Sequence, residues 1–176
     1  MSIRALILAA LLALPLPALG DTLDDLFAAL AASDDTSWEV IENDIWREWS
    51  QSGSPAMDLL LERGRAAMND EEPALALEHL TALIDHAPGF AEGWNARATA
   101  FFQLGQYGPA LADLHRTLTL EPRHFGALSG LALILEEMGD AAGALAAYRA
   151  VVSIHPHQPH IKEAIARLDA ATGKDI

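Results

Sequence analysis

Apolar positions in this chain recur three and four residues apart over short runs, and each run ends at a turn bearing glycine or proline. Near the middle, Trp94, Arg97, Ala98 and Phe101 fall on one helical face, and Tyr107, Ala110, Leu111, Leu114 and Leu118 fall on another. Gly105 follows apolar Leu104 and separates the two runs, as a helix terminus with a permissive turn does. Glu121-Pro122 closes the second run, because a proline inside a helix loses an amide hydrogen bond and clashes with the preceding turn. The pattern predicts two helices joined by a tight turn and followed by a connector.

The same pattern is written three times. Pro88, Pro122 and Pro156 stand 34 residues apart, and so do Ala76, Ala110 and Ala144. Gly64, Ala98 and Ala132 share a position where a small side chain lets two helices approach, while Leu80, Leu114 and Tyr148 share one where a large side chain fills the gap. A period held across sizes, turns and prolines marks a stack of repeated helix pairs whose apolar faces need one another.

The repeats resemble those of the tetratricopeptide repeat family. The resemblance rests on Trp94, Arg97-Ala98, Phe101, Ala110, Leu114 and Pro122, then Leu128, Leu131-Ala132, Leu135, Ala144, Tyr148 and Pro156. In the first copy it rests on Leu60, Arg63-Gly64, Ala67, Ala76, Leu80 and Pro88, with Ala67 where an aromatic is usual. It covers about 57 to 158 and implies an all-α fold: a right-handed α-α superhelix of antiparallel helix pairs, in units 57–90, 91–124 and 125–158. Residues 159–172, with Ile161, Ile165 and Leu168 on one face, are expected to form a C-terminal capping helix.

The N-terminal part departs from the period. Residues 1–20 carry Arg4, an apolar run from Ala5 to Leu16 and small residues at Ala18 and Gly20, which fits a cleaved signal peptide and is too short to span a bilayer. An exported bacterial protein is expected, located in the periplasm or secreted. Residues 21–56 hold two short stripes, Leu23, Leu26, Phe27 and Leu30, then Trp38, Ile41, Ile45 and Trp49 after a plausible cap at Asp35-Thr36-Ser37. They are expected to form a degenerate helix pair that covers the open end of the stack. Trp38 and Trp49 are expected in the core and Trp46 partly buried, with a docking patch as the alternative.

Charge narrows the partners. The chain has 25 acidic and 11 basic residues, and loss of 1–20 removes Arg4 alone, giving 10 − 25 = −15. Such a field disfavours nucleic acid and anionic membrane surfaces, and no stable membrane insertion is expected after cleavage. With no cysteine there is neither a disulfide framework nor a lipidated cysteine.

No residues assemble into catalytic chemistry. His155, His157 and His160 are separated by prolines in a connector and have no enforced common direction. His79, His86, His115 and His124 fall at unrelated positions and are expected at the surface. Asp70-Glu71-Glu72 and Glu136-Glu137 suit helix ends and solvated faces, since adjacent carboxylates on a helix do not face each other. No metal site, cofactor or enzymatic activity is expected.

What the resemblance implies instead is a groove. In tetratricopeptide repeat proteins the first helix of each unit lines a concave surface that receives a peptide or a partner's helix. Carried over residue by residue, that lining is Asp58, Leu61, Arg65, Met68 and Asn69, then Glu92, Asn95, Thr99, Phe102 and Gln103, then Gly126, Ser129, Leu133, Glu136 and Glu137. Arg65, Asn69 and Asn95 suit a backbone or carboxylate, Met68, Phe102 and Leu133 an apolar side chain, and Glu92, Glu136 and Glu137 a basic one. Some family grooves clamp a C-terminal carboxylate with lysines and asparagines, but here no lysine precedes Lys162. The resemblance implies a non-catalytic adaptor or scaffold for a neutral or basic protein partner. The alternative is an accessory subunit of an envelope complex, docked through its cap or outer faces.

Overall fold

The computed structural model describes residues 19–34 and 36–173, which form helices and turns without strands. The expected signal peptide therefore lies almost wholly outside the described residues. Nine helices follow in order: α1 (Leu19–Ala32), α2 (Trp38–Trp49), α3 (Pro55–Asn69), α4 (Pro73–His86), α5 (Ala91–Gln103), α6 (Tyr107–Leu120), α7 (Phe125–Glu137), α8 (Ala141–Ile154) and α9 (Pro159–Thr172). Helices α3–α4, α5–α6 and α7–α8 pack as pairs, α4 meets α5, α6 meets α7 and α8 meets α9, and α3, α5 and α7 line up as one layer. This is an all-α helical repeat solenoid.

Backbone geometry repeats with the sequence. At the turn inside the second unit Gln106 N–H donates to Phe101 O at 2.9 Å and Gly105 N–H to Phe102 O at 2.8 Å, so the last carbonyls of α5 are satisfied. Asp140 to Leu135 and Gly139 to Glu136 do the same in the third unit, and Glu72 to Ala67 and Glu71 to Met68 in the first. The motif needs a left-handed residue. Gly105 and Gly139 provide it at φ 69° and 81°, whereas Glu71 adopts φ 60° with a full side chain.

The invariant small positions are close contacts. Ala76, Ala110 and Ala144 are fully buried. A Cβ added to Gly64 would lie 2.5 Å from Leu80 Cγ, so the first pair is tighter than the others, which hold Ala98 and Ala132 at that point. Arg97, at the face beside these contacts, is held by Asp113 on α6 through two hydrogen bonds of 2.7 and 2.8 Å and reaches back to Thr81 of the preceding unit at 3.3 Å.

The N-terminal pair does form a helical hairpin, but it does not cover the open end of the stack. Instead α2 lies across the connectors that join one unit to the next and runs against the order of the repeats. Its first turn meets the last connector: Trp38 packs on His155 and His157 at centroid distances of 5.3 and 6.4 Å, and Gln158 donates to Glu42 at 3.4 Å. Its last turn meets the preceding connector, where Trp46 and Trp49 enclose His124 and Phe125. Helix α1 follows alongside through Asp24–Arg123 at 2.7 Å and Phe27 beneath the same guanidinium. The reason is chemical. Phe125, Tyr148, Val151, Ile161 and Leu168 of the last unit and α9 leave an apolar ledge, and Phe27, Leu30, Ile45 and Trp49 complete one core with it. The turn that makes the hairpin is organised by Asp34, whose Oδ1 accepts from the amides and hydroxyls of Thr36 and Ser37 at 2.8 to 3.1 Å.

Candidate interaction groove

The layer of first helices builds the site. Between α5 and α7 is a depression of about 380 Å³ walled by Asn95, Ala98, Thr99, Phe102 and Gln103 on one side and Gly126, Ser129, Gly130 and Leu133 on the other, with Leu114 and Ile134 at its floor. Gly130 supplies no side chain above Leu114, which opens the cleft. Thr99 Oγ1 donates to Asn95 O at 3.2 Å and Ser129 Oγ to Phe125 O at 2.8 Å, so the hydroxyls are turned onto their own helices. What faces inward is largely hydrocarbon with a phenyl ring, and Phe102 is braced against Tyr107 at 5.8 Å. Such a depression suits an apolar side chain, with exposed Gln103 at its rim.

A second depression of about 250 Å³ lies between α7 and α9, and it shares Ser129 and Leu133 with the first. Leu133, 47% exposed, is the ridge between them. The far wall is closed by Arg167, which binds Glu136 through two hydrogen bonds of 2.5 and 3.0 Å, while Tyr148 donates to the same carboxylate at 3.3 Å. Hydrogen bonding from Arg167 holds the Glu136 carboxyl below its ordinary range, and burial together with the Glu136 charge pushes the Tyr148 phenol up. Glu136 is thus paired within the chain, while neighbouring Glu137 is exposed.

At the other end the expected groove residues are used differently. Glu92 is buried, 3% exposed, and is the hub of a network. Arg65 Nη2 donates to its Oε1 at 2.6 Å, Asn95 Nδ2 to its Oε2 at 3.1 Å, and His124 Nε2 approaches that Oε2 at 2.8 Å. His124 Nδ1 accepts from Ala127 N–H at 3.1 Å, so the proton sits on Nε2 and the imidazole donates to Glu92. His124 is fully buried and caps α7, which corrects its expected surface position. His155 is also fully buried. Arg65 donates further to Ser50 Oγ at 3.0 Å, tying the network to the end of α2.

Arg65, Glu92 and Asn95, all expected to contact a ligand, are joined in this network, since a buried carboxylate needs such donors, and Asn95 also lines the central depression. Asn69 is exposed beside a 390 Å³ hollow on α3 that Ser50, Asp58, Leu61, Glu62, Arg65 and Ala66 also line, and Met68 packs on the core between the first two units. Asn95, Thr99, Phe102, Gln103 and Leu133 come together around the central depression, whose Ala98, Leu114, Gly130 and Ile134 the expected lining left out. The 34-residue period contained that signal, since Gly130 aligns with Ala96 and Ile134 with Ala100 on the wall of the same helix layer. All three N-terminal tryptophans face inward onto rings of the repeats. Among the described residues, no group of three or more His, Asp or Glu side chains is placed to hold a metal ion, and no helix is long and apolar enough to cross a membrane.

Helix pairs stacked at a fixed period around a concave layer define a repeat solenoid. The chain belongs to the tetratricopeptide repeat family, whose model matches residues 61–112 and 95–159. It is 38% identical over 135 residues to a TPR repeat-containing protein of Rhizobium etli, covering 76% of this chain and 66% of that one. It is 28% identical over 116 residues to the small glutamine-rich tetratricopeptide repeat-containing protein 2 of Saccharomyces cerevisiae, covering 66% of this chain and 33% of that one. The chain thus spans less than two thirds of the length of these relatives. Its fold is similar to the Sgt2 TPR domain of Aspergillus fumigatus, with a TM-score of 0.64, 25% identity and coverage of 69% and 82%. It is also similar to the TPR2B domain of yeast Sti1, solved as a complex with pHsp70, with a TM-score of 0.62, 19% identity and coverage of 67% and 99%.

Proposed function

We propose that this protein is a non-catalytic interaction module, an adaptor or scaffold that holds a segment of another protein in the groove between α5 and α7. The observation that carries this is the 380 Å³ depression walled by Phe102, Thr99 and Leu133, an apolar receptacle in the concave layer. Family membership supports the reading, as does the TPR2B domain of yeast Sti1, which is solved as a complex with pHsp70. The recognised element is an apolar side chain in a neutral or basic segment, because the formal charge is −14 and Glu137 stands exposed near the groove. Clamping of a carboxylate terminus is disfavoured, since Arg65 is already bound to Glu92. The leader-like residues 1–20 support export to the periplasm or beyond.

The test is affinity capture from a native envelope extract with the 21–176 chain beside its Phe102→Ala/Leu133→Asp variant. A protein captured by the first and lost from the folded variant is the expected result. Equal capture by both would move the interface to the hairpin or the outer faces and support an accessory subunit instead.

A further inference from the structure

The repeat register exposes an inter-unit interface that the described residues do not fill. Helix α5 packs on α4 through Gly93, Ala96 and Ala100, and α7 packs on α6 through Ala127, Gly130 and Ile134. One period earlier the same positions are Leu59, Glu62 and Ala66 on α3. Because α2 turns onto the connectors, no described helix stands ahead of α3 as α4 stands ahead of α5. Leu59 is 44% exposed and Glu62 and Ala66 are open, whereas Ala96 and Ala100 are 3% and 0% exposed.

Charge says what kind of surface would cover it. Arg97 sits at the seam between units, neutralised by Asp113. Its counterpart Arg63 has His79 where the aspartate would be, and neither Arg63 nor Glu62 has an ion-pair partner among the described residues. A terminal unit of a solenoid ordinarily presents a polar outer face, and the other end does so: α9 turns Lys162, Glu163 and Asp169 outward.

We propose that this face of α3 docks an amphipathic α-helix of another protein, lying where the second helix of a preceding repeat would lie. Its apolar ridge packs on Leu59 and Ala66, a basic side chain meets Glu62 and an acidic one meets Arg63. A second copy does not supply that helix, because α4, α6 and α8 are each already covered by α5, α7 and α9. Leu59 is bulkier than Gly93, which touches Leu83 and Ile84 of α4, so the docked helix carries a small residue opposite it.

The probe is a helix-stabilised peptide of residues 73–88 with Leu83→Ala, titrated into the isotope-labelled 21–176 chain and followed by amide chemical shifts. The expected result is saturable binding with shifts confined to α3. Leu59→Glu should weaken it at least ten-fold and Phe102→Ala should leave it unchanged, both variants keeping full helicity. No saturable binding, shifts away from α3, or equal affinity in Leu59→Glu overturns the proposal, as does a concentration-dependent dimer that Leu59→Glu disperses.

Discussion

The imidazole of His124 lies flat on the indole of Trp49, with ring centroids 4.0 Å apart and planes 7° from parallel. The contact joins the N-terminal hairpin to the second inter-unit connector, and the same imidazole donates to Glu92 and caps α7. One ring therefore links the hairpin, the connector and the groove layer.

Trp49→Ala removes that stack together with contacts to Phe27, Trp46 and Phe125. Truncating a buried tryptophan costs about 3–5 kcal/mol. The loss should fall on hairpin docking, so hydrogen exchange should accelerate in α1 and α2 while α5 and α6 stay protected. Uniform acceleration through all units would show that the hairpin and the repeats unfold as one.

Glu92→Ala separates a structural role from a binding one. With the carboxylate gone, Arg65, Asn95 and His124 lose their shared acceptor in a buried setting, an effect of about 3–5 kcal/mol. A large fall in the denaturant midpoint is expected. A variant as stable as the parent would return Glu92 to the role of a free groove residue.

Glu71 occupies the left-handed turn position that Gly105 and Gly139 hold in the other units. Relief of that conformation is partly offset by the greater freedom glycine brings to the unfolded chain, so Glu71→Gly should stabilise by about 0.5–1 kcal/mol. Thermal unfolding measures it, and a lower midpoint would contradict it.

Acid should loosen the hairpin before the repeats. Hydrogen bonds from the Ser37 and Thr36 hydroxyls hold Asp34 down to about 2. Burial opposes ionisation of Glu42, yet the neighbouring His155 imidazole, 3.4 Å away, and hydrogen bonds from Trp46 and Gln158 outweigh it, so this carboxyl is also lowered. Both are lowered in the folded state, so their stabilisation is complete above the ordinary carboxylate range and is lost as pH falls below that range, down to about 2 for Asp34. Tryptophan fluorescence should report that change, and Glu42→Gln should show less of it. An identical titration in the variant would rule Glu42 out as a contributor.

The repeat units were legible because one period constrains many positions together: Gly64 with Leu80, Gly105 with Gly139, and Pro88 with Pro122 carry redundant information about the same helix pair. The placement of the hairpin was not. Trp38 and Trp49 read as core and Trp46 as partly buried, but which surface receives them depends on single residues outside the pattern, such as Gly126, where a Cβ would lie 2.5 Å from Trp46 Cη2. The groove was half legible for a related reason. Family positions put Asn95, Thr99, Phe102 and Leu133 at the depression, whereas the withdrawal of Glu92 into the fold follows from His124, which stands where the first unit has Phe90 and the third has Gln158.

The central claim is that the α5–α7 depression receives another protein. A photoreactive phenylalanine analogue placed at position 102 in living cells tests it most directly, with the same analogue at the exposed turn residue 71 as reference. The expected result is a discrete cross-linked species from position 102 that is absent from position 71 and is lost when Leu133→Asp is added. Cross-linking from position 71 alone, or from neither position with the folded protein at native abundance, would contradict the groove as the interaction site.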